Sequence, residues 1–150
     1  MMFRQSLRIG PARLLELSLA LVLFSSSMGA QSFLAEIASE HDPGKRSELA
    51  LTYANESFDD ARGYYQKGAV EKGDAALENM TTALQACVQS LAVSNKVKFY
   101  KKAELKVAYL QRRMSGLVED LGVQERGWAE QTKRKVEEIH EKLLEGVMRK

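Results

Sequence analysis

Glu137 and His140 stand three residues apart in a stretch with helical periodicity, the spacing at which a carboxylate and an imidazole on one helix face can share a metal inside a bundle. A dinuclear carboxylate centre needs that pair twice, and no second Glu-x-x-His occurs. The other histidine, His41, falls in a segment expected to be a loop. Zinc fares no better, because one cysteine, Cys87, and two histidines form no recognisable ligand cluster. No metal or cofactor is expected. Cys87 lies on an apolar stripe with Met80, Leu84 and Leu91, so it reads as a small buried hydrophobe, and as the sole cysteine it cannot form an intrachain disulfide. Nothing in the chain supports a catalytic nucleophile. No Ser, Thr or Cys has a locally placed base, Asp59 and Asp60 project in successive directions from a helix, and the glycines lack a strand-to-helix phosphate-binding context. The expectation is a protein that is not an enzyme.

The chemistry that remains is electrostatic. Lys98, Lys101, Lys102, Lys106, Arg112 and Arg113 cover the polar side of one helical segment, which also carries Tyr100 and Tyr109. Such a face suits an acidic protein surface, an anionic lipid or a cell-wall polymer, and these six residues are the candidate partner-binding site. The competing interpretation is a solvated face balanced by the acidic segment before it, since Lys and Arg stems also cover apolar area while their charges stay wet. The wider charge pattern is segregated in the same sense. Residues 31–95 hold five Lys or Arg against ten Asp or Glu, whereas residues 96–113 hold seven against one.

The address is written in the first thirty residues. Arg4, Arg8 and Arg13 precede an apolar run from Leu17 to Phe24, followed by Ser25, Ser26, Ser27, Met28, Gly29 and Ala30. A basic region, a short apolar segment and small residues in this order are the pattern of a secretory signal peptide. Residues 1–30 are therefore expected to be removed, leaving a mature chain that begins near Gln31 and works in the periplasm or outside the cell. The alternative is an uncleaved amino-terminal membrane anchor. Three basic side chains and one acid leave with the signal, so 19 of each remain of the original 22 and 20. A mature chain this close to neutrality is not expected to bind nucleic acid. The sequons Asn55-Glu56-Ser57 and Asn79-Met80-Thr81 matter only in a glycosylating pathway.

Residues 31–150 suffice for one helical domain. Strand signals are nearly absent. Phe33, Leu34 and Ile37 mark a short amphipathic helix before the His41-Asp42-Pro43-Gly44 break, where Asp42 can cap and Pro43 can open a helix running to about Lys67. Its inward stripe uses Ala50, Ala54, Ser57 or Phe58, Ala61 and Tyr65, mostly small side chains that permit close helix approach. Gly68 and Gly73 are expected to flank a turn, with Asp74 capping a third helix that presents Leu77, Met80, Leu84, Cys87, Val88 and Leu91. After Ser94 and Asn95, Phe99, Ala103, Val107, Leu110, Met114 and Leu117 form the next stripe, and Leu121-Gly122 ends it. A last helix from about Gln124 to Met148 presents Trp128, Thr132, Val136, Ile139, Leu143 and Val147.

The expected fold is all-α: an antiparallel bundle of four long amphipathic helices plus a short amino-terminal one, with short connections making consecutive helices neighbours. Ala61, Tyr64, Gly68, Ala76 and Ala83 resemble part of a tetratricopeptide hairpin, which makes stacked helical hairpins the alternative architecture and implies protein binding. The early Trp and closing Pro of that pattern are missing. The expected function is that of an exported, non-catalytic interaction or structural module of the cell envelope, with a protein or anionic envelope surface as partner. A small-ligand or metal-binding bundle, or a peripheral membrane-surface binder, is the alternative.

Overall fold

The computed structural model describes Gly29 and residues 32–149, so the signal segment lies almost entirely outside the described residues. Residues 34–149 belong to one compact unit. It contains most of α1 (residues 32–39), then α2 (Pro43–Gln66), α3 (Val70–Ser94), α4 (Val97–Asp120) and α5 (Gly127–Met148). No strand occurs among the described residues, and the fold is an all-α helical bundle.

Each boundary has a local cause. Asp42 caps α2 as expected: its Oδ1 accepts hydrogen bonds from the amides of Gly44 at 2.8 Å and Lys45 at 3.1 Å, with Pro43 in the first turn. The Lys45 amide, ahead of the other contributions, holds the Asp42 carboxyl below its usual range. Gly68 ends the same helix in the left-handed region at φ 74°, where it avoids the Cβ clash other residues meet. Its amide donates to the Tyr65 carbonyl at 3.0 Å. Asn95, at φ 48°, closes α3 in the same region while its amide donates to the Leu91 carbonyl. This is the interruption that Ser94-Asn95 signals in the sequence.

Two expectations at the α2–α3 connection are corrected. α3 starts at Val70, so Gly73 lies inside the helix and Asp74 does not cap it. Gly73 is needed for a different reason: a Cβ there would come within 2.8 Å of the Tyr65 ring. The Tyr65 hydroxyl then reaches past it to donate to Asp74. Burial, followed by the Asp74 carboxylate, pushes the Tyr65 phenol above its usual pKa.

The same device recurs at two other helix contacts. Phe99 of α4 lies over Gly44 of α2, where a Cβ would fall 2.6 Å from the ring. Tyr100 lies over Gly146 of α5, where a Cβ would overlap the ring outright. Sequence periodicity places Phe99 on the inward stripe, yet Tyr100 is the buried member of the pair and Phe99 is only half-buried. The α5 stripe shifts likewise. α5 begins at Gly127, Ala129 occupies the interior and Trp128 is 38% exposed, while Thr132, Val136, Ile139 and Leu143 point inward as expected.

Helix directions follow from the pairs in contact. Tyr65 meets Gly73 while Arg46 Nε donates to Ser90 Oγ at 2.8 Å, so α2 and α3 are antiparallel. Tyr100 meets Gly146 while Glu104 meets His140, so α4 and α5 are antiparallel. The α2–α4 contacts instead keep a nearly constant offset: Gly44 with Phe99, Glu48 with Lys102, Asp59 with Arg113. These two helices are parallel. The bundle is thus two antiparallel hairpins laid side by side, with α3 against α5 completing the ring. α3 and α4 are separated by two residues yet barely touch, since Asn95 directs the chain across to the second hairpin. Short connections make neighbours within each hairpin and not between them.

The interior is filled by Phe58, Leu77, Met80, Leu84, Leu91, Val107, Leu110, Met114, Val136 and Leu143, all at most 1% exposed. Buried hydroxyls are paired locally: Ser47 donates to the Gly44 carbonyl, Thr81 to Leu77 and Ser90 to Ala86.

Gly146 and Gly116 separate helix propensity from packing. Both lie in helices, and an added Cβ meets Tyr100 at the first and nothing within 4 Å at the second. Gly116→Ala should stabilise by up to about 1 kcal/mol through propensity alone. Gly146→Ala gains the same propensity, but displacing the Tyr100 ring should outweigh it and leave a net loss of about 1–3 kcal/mol. Urea melts of the two variants check both signs.

Candidate partner-binding surface

α4 turns Tyr100, Ala103, Val107, Leu110, Met114 and Leu117 inward, so its opposite face must carry whatever the sequence placed between them. The six basic residues singled out by sequence lie around the rest of its circumference, and the fold separates them. Lys102 pairs with Glu48 of α2, and the Arg113 guanidinium pairs with Asp59. Arg113 also stacks 4.3 Å from the centroid of the buried Phe58 ring and 5.7 Å from that of Tyr109. These two cations belong to the α2–α4 contact. Lys106 is exposed, yet its charge is felt at Cys87, where it opposes the effect of burial.

Lys98, Lys101 and Arg112 remain on the outward side, all exposed. Lys98 Nζ lies 5.0 Å from the Phe99 ring centroid and Arg112 5.8 Å from that of Tyr109, both close to aromatic neighbours on their own helix. No carboxylate pairs with any of the three among the described residues. Between them stand Leu105, 68% exposed, and Tyr109, 53% exposed. The outward ridge of α4 is therefore apolar at its centre and basic at its margins. Sequence reasoning took Tyr100 and Tyr109 together as aromatic companions of the basic face. The fold buries Tyr100 against Gly146 and leaves Tyr109 outside. Leu105 was missed altogether, although its place two residues after Ala103 and two before Val107, off the inward stripe, was the available signal.

His140 does not join Glu137. Its Nε2 lies 2.8 Å from Glu104 Oε1 of α4, both side chains being largely shielded, while Glu137 reaches Lys133 at 3.9 Å. The imidazole ties the second hairpin together. Arg126 donates from Nη2 to the Leu121 carbonyl at the end of α4. Among the described residues no group of three or more His, Cys, Asp or Glu is arranged to hold a metal ion, and no helix is long and apolar enough to cross a membrane.

Several concavities mark the surface of the described residues, two of them bordered by α3. An open cleft of about 410 Å³ lies between α1 and the α2–α3 hairpin, walled by Leu34, Ile37, Ala86 and Val93. Arg46 borders it, with its guanidinium already engaged by Ser90 Oγ and the Glu40 carbonyl. A smaller groove of about 260 Å³ runs between α3 and α5 beside Val88 and Ile139. Asn55 and Asn79 of the two sequons lie in the middle of α2 and α3, and Asn55 Nδ2 donates to the Leu51 carbonyl.

Comparison of the chain with protein-family models, with curated proteins and with solved structures finds no match. Its function has to be argued from its own surface.

Arg113 and Lys102 occupy equivalent positions one turn-set apart and should differ in weight. The Lys102–Glu48 pair is half-exposed on both sides, so Lys102→Ala should cost less than about 1 kcal/mol. Arg113 is 21% exposed and covers Phe58 as well, so Arg113→Ala should cost about 1–2 kcal/mol, measured by chemical denaturation. Cys87 is buried, and that burial pushes its thiol up to about 12. Iodoacetamide at neutral pH should leave it unlabelled in the folded protein and label it fully in urea, as read by intact mass.

Proposed function

We propose that this protein is an exported, non-catalytic interaction module of the cell envelope, and that the outward ridge of α4 is the surface that receives its partner. The observation that carries this reading is the placement of Leu105 and Tyr109, both more than half exposed, between the cations Lys98, Lys101 and Arg112, which have no carboxylate partner among the described residues. The acidic segment was the competing explanation for the basic helix, and it accounts for Lys102 and Arg113 alone. Burying a leucine and a tyrosine against a partner offers roughly 1.5–3 kcal/mol for each side chain fully covered. The flanking cations add attraction for an acidic surface, with a strength that falls as salt is raised.

Export rests on the first thirty residues, with their basic, apolar and small-residue order. A small bundle with no disulfide then depends on helix packing for its stability outside the cytoplasm, as the filled interior allows.

The reading is tested in the native host with a photo-crosslinking amino acid at position 105 or 109, and at Thr52 on the exposed side of α2 as control. The recovered chain should begin near Gln31 by mass spectrometry. One defined acidic protein should crosslink at 105 and 109, and Lys98→Glu combined with Lys101→Glu and Arg112→Glu should abolish that crosslink with helicity unchanged. A chain retaining Met1 in the membrane fraction would replace cleavage with an anchor. Equal crosslinking at all three positions would remove α4 as the partner surface.

A further inference from the structure

The α2–α4 contact is an internal example of how α4 holds an acidic helix. Glu48 and Asp59 are 11 residues apart on α2, and the cations that meet them, Lys102 and Arg113, are also 11 apart on α4. Eleven residues are close to three whole helical turns, so two charges at that spacing share a face and sit about 16 Å apart along the axis. A cation pair at this spacing therefore matches a carboxylate pair at the same spacing whenever two helices lie nearly parallel or antiparallel side by side.

The outward ridge repeats this arrangement one residue back. Lys101 and Arg112 are again 11 apart, rotated by about 100° from Lys102 and Arg113 around α4, and they face away from α2. Leu105 and Tyr109 lie between them, one and two turns from Lys101, as the buried Phe58 of α2 lies under the Arg113 guanidinium in the internal contact. The ridge thus has a basic residue at each end and two apolar residues at the centre, in line along the helix.

Building on the partner-binding role of α4, we propose that the element received by this ridge is an acidic amphipathic α-helix of a partner protein, carrying carboxylates three turns apart that pair with Lys101 and Arg112 and apolar residues between them that pack on Leu105 and Tyr109. The precedent of α2, an acidic helix held by cations at this spacing, points to a helix rather than a flat anionic surface. A lipid headgroup layer would engage Lys98, Lys101 and Arg112 without regard to register, whereas a helix is recognised only when its carboxylates return to one face.

The test uses the full chain and two stapled helical peptides of identical composition, because short helices are marginally stable alone. One has Glu at positions j and j+11 with Leu at j+4 and j+7. The other moves the second Glu to j+9, on the opposite face. Fluorescence anisotropy should show the first peptide binding at least about tenfold more tightly than the second. Lys101→Glu with Arg112→Glu should weaken the first peptide by a similar factor, and a peptide with Lys at j and j+11 should recover binding to that variant. Leu105→Ala with Tyr109→Ala, both surface positions, should weaken the matched peptide without altering the far-ultraviolet circular dichroism. Equal affinity for the two acidic peptides overturns the register while leaving α4 as an acidic-partner surface. Binding to vesicles of phosphatidylglycerol and phosphatidylcholine with neither peptide bound replaces the helix with a membrane surface. No binding to peptides or vesicles overturns both the register and the role of the ridge.

Discussion

Three helix contacts in this bundle are made by an aromatic ring lying on a glycine. Tyr65 on Gly73 closes the first hairpin, Tyr100 on Gly146 closes the second, and Phe99 on Gly44 joins one hairpin to the other. The missing Cβ lets each ring lie against the opposing backbone, which brings large side chains into narrow contacts that the small residues of α2 already favour. The adjacent Phe99 and Tyr100 diverge to two different helices from one turn of α4. That fork fixes the rotation of α4 about its axis, and with it the face of every other residue the helix carries.

The rotation decides what the charges do. With Tyr100 held over Gly146, Glu104 falls beside His140 and ties α4 to α5. With Phe99 over Gly44, Lys102 and Arg113 fall beside the acids of α2. Surface ion pairs of this kind add little energy individually, but they agree with the packing and oppose a slipped alignment of the two hairpins, where like charges would meet. The residues one step round the helix, Lys101, Leu105, Tyr109 and Arg112, are left facing outward by the same geometry. The proposed partner surface is thus a consequence of how the aromatic rings seat, and its apolar centre is the part that a helix with only a solvent-facing role would not need.

Much of the fold is legible in the sequence because the relevant signals are local. Asp42-Pro43 sets the start of α2 through a cap that needs only the next three residues, and Asn95 ends α3 through a backbone conformation that asparagine tolerates better than most residues. The stripe of Met80, Leu84, Cys87 and Leu91 is buried as its spacing requires. Local signals fail where two local roles compete. Gly73 looks like turn punctuation and is a seat for Tyr65; Asp74 looks like a cap and accepts from the Tyr65 hydroxyl. Trp128 falls on the apolar stripe of α5, but a start at Gly127 and the rotation of that helix put Ala129 inside.

Taken alone, the sequence determined an all-α chain, the number and approximate limits of its long helices, a buried Cys87 and a segregated charge pattern, since each depends on periodicity or composition within a single element. Tertiary structure alone decided that α2 and α4 are neighbours, that α3 and α4 part company after Asn95, and that five of the six basic residues divide between internal pairing and an outward ridge. The physical reason is angular. Successive residues on a helix differ by about 100°, so Lys101 and Lys102, or Arg112 and Arg113, are equivalent in any count of charge and distinct only once a neighbouring helix occupies one side. The sequence supplies both members of each pair, and the contact with α2 chooses which one remains free.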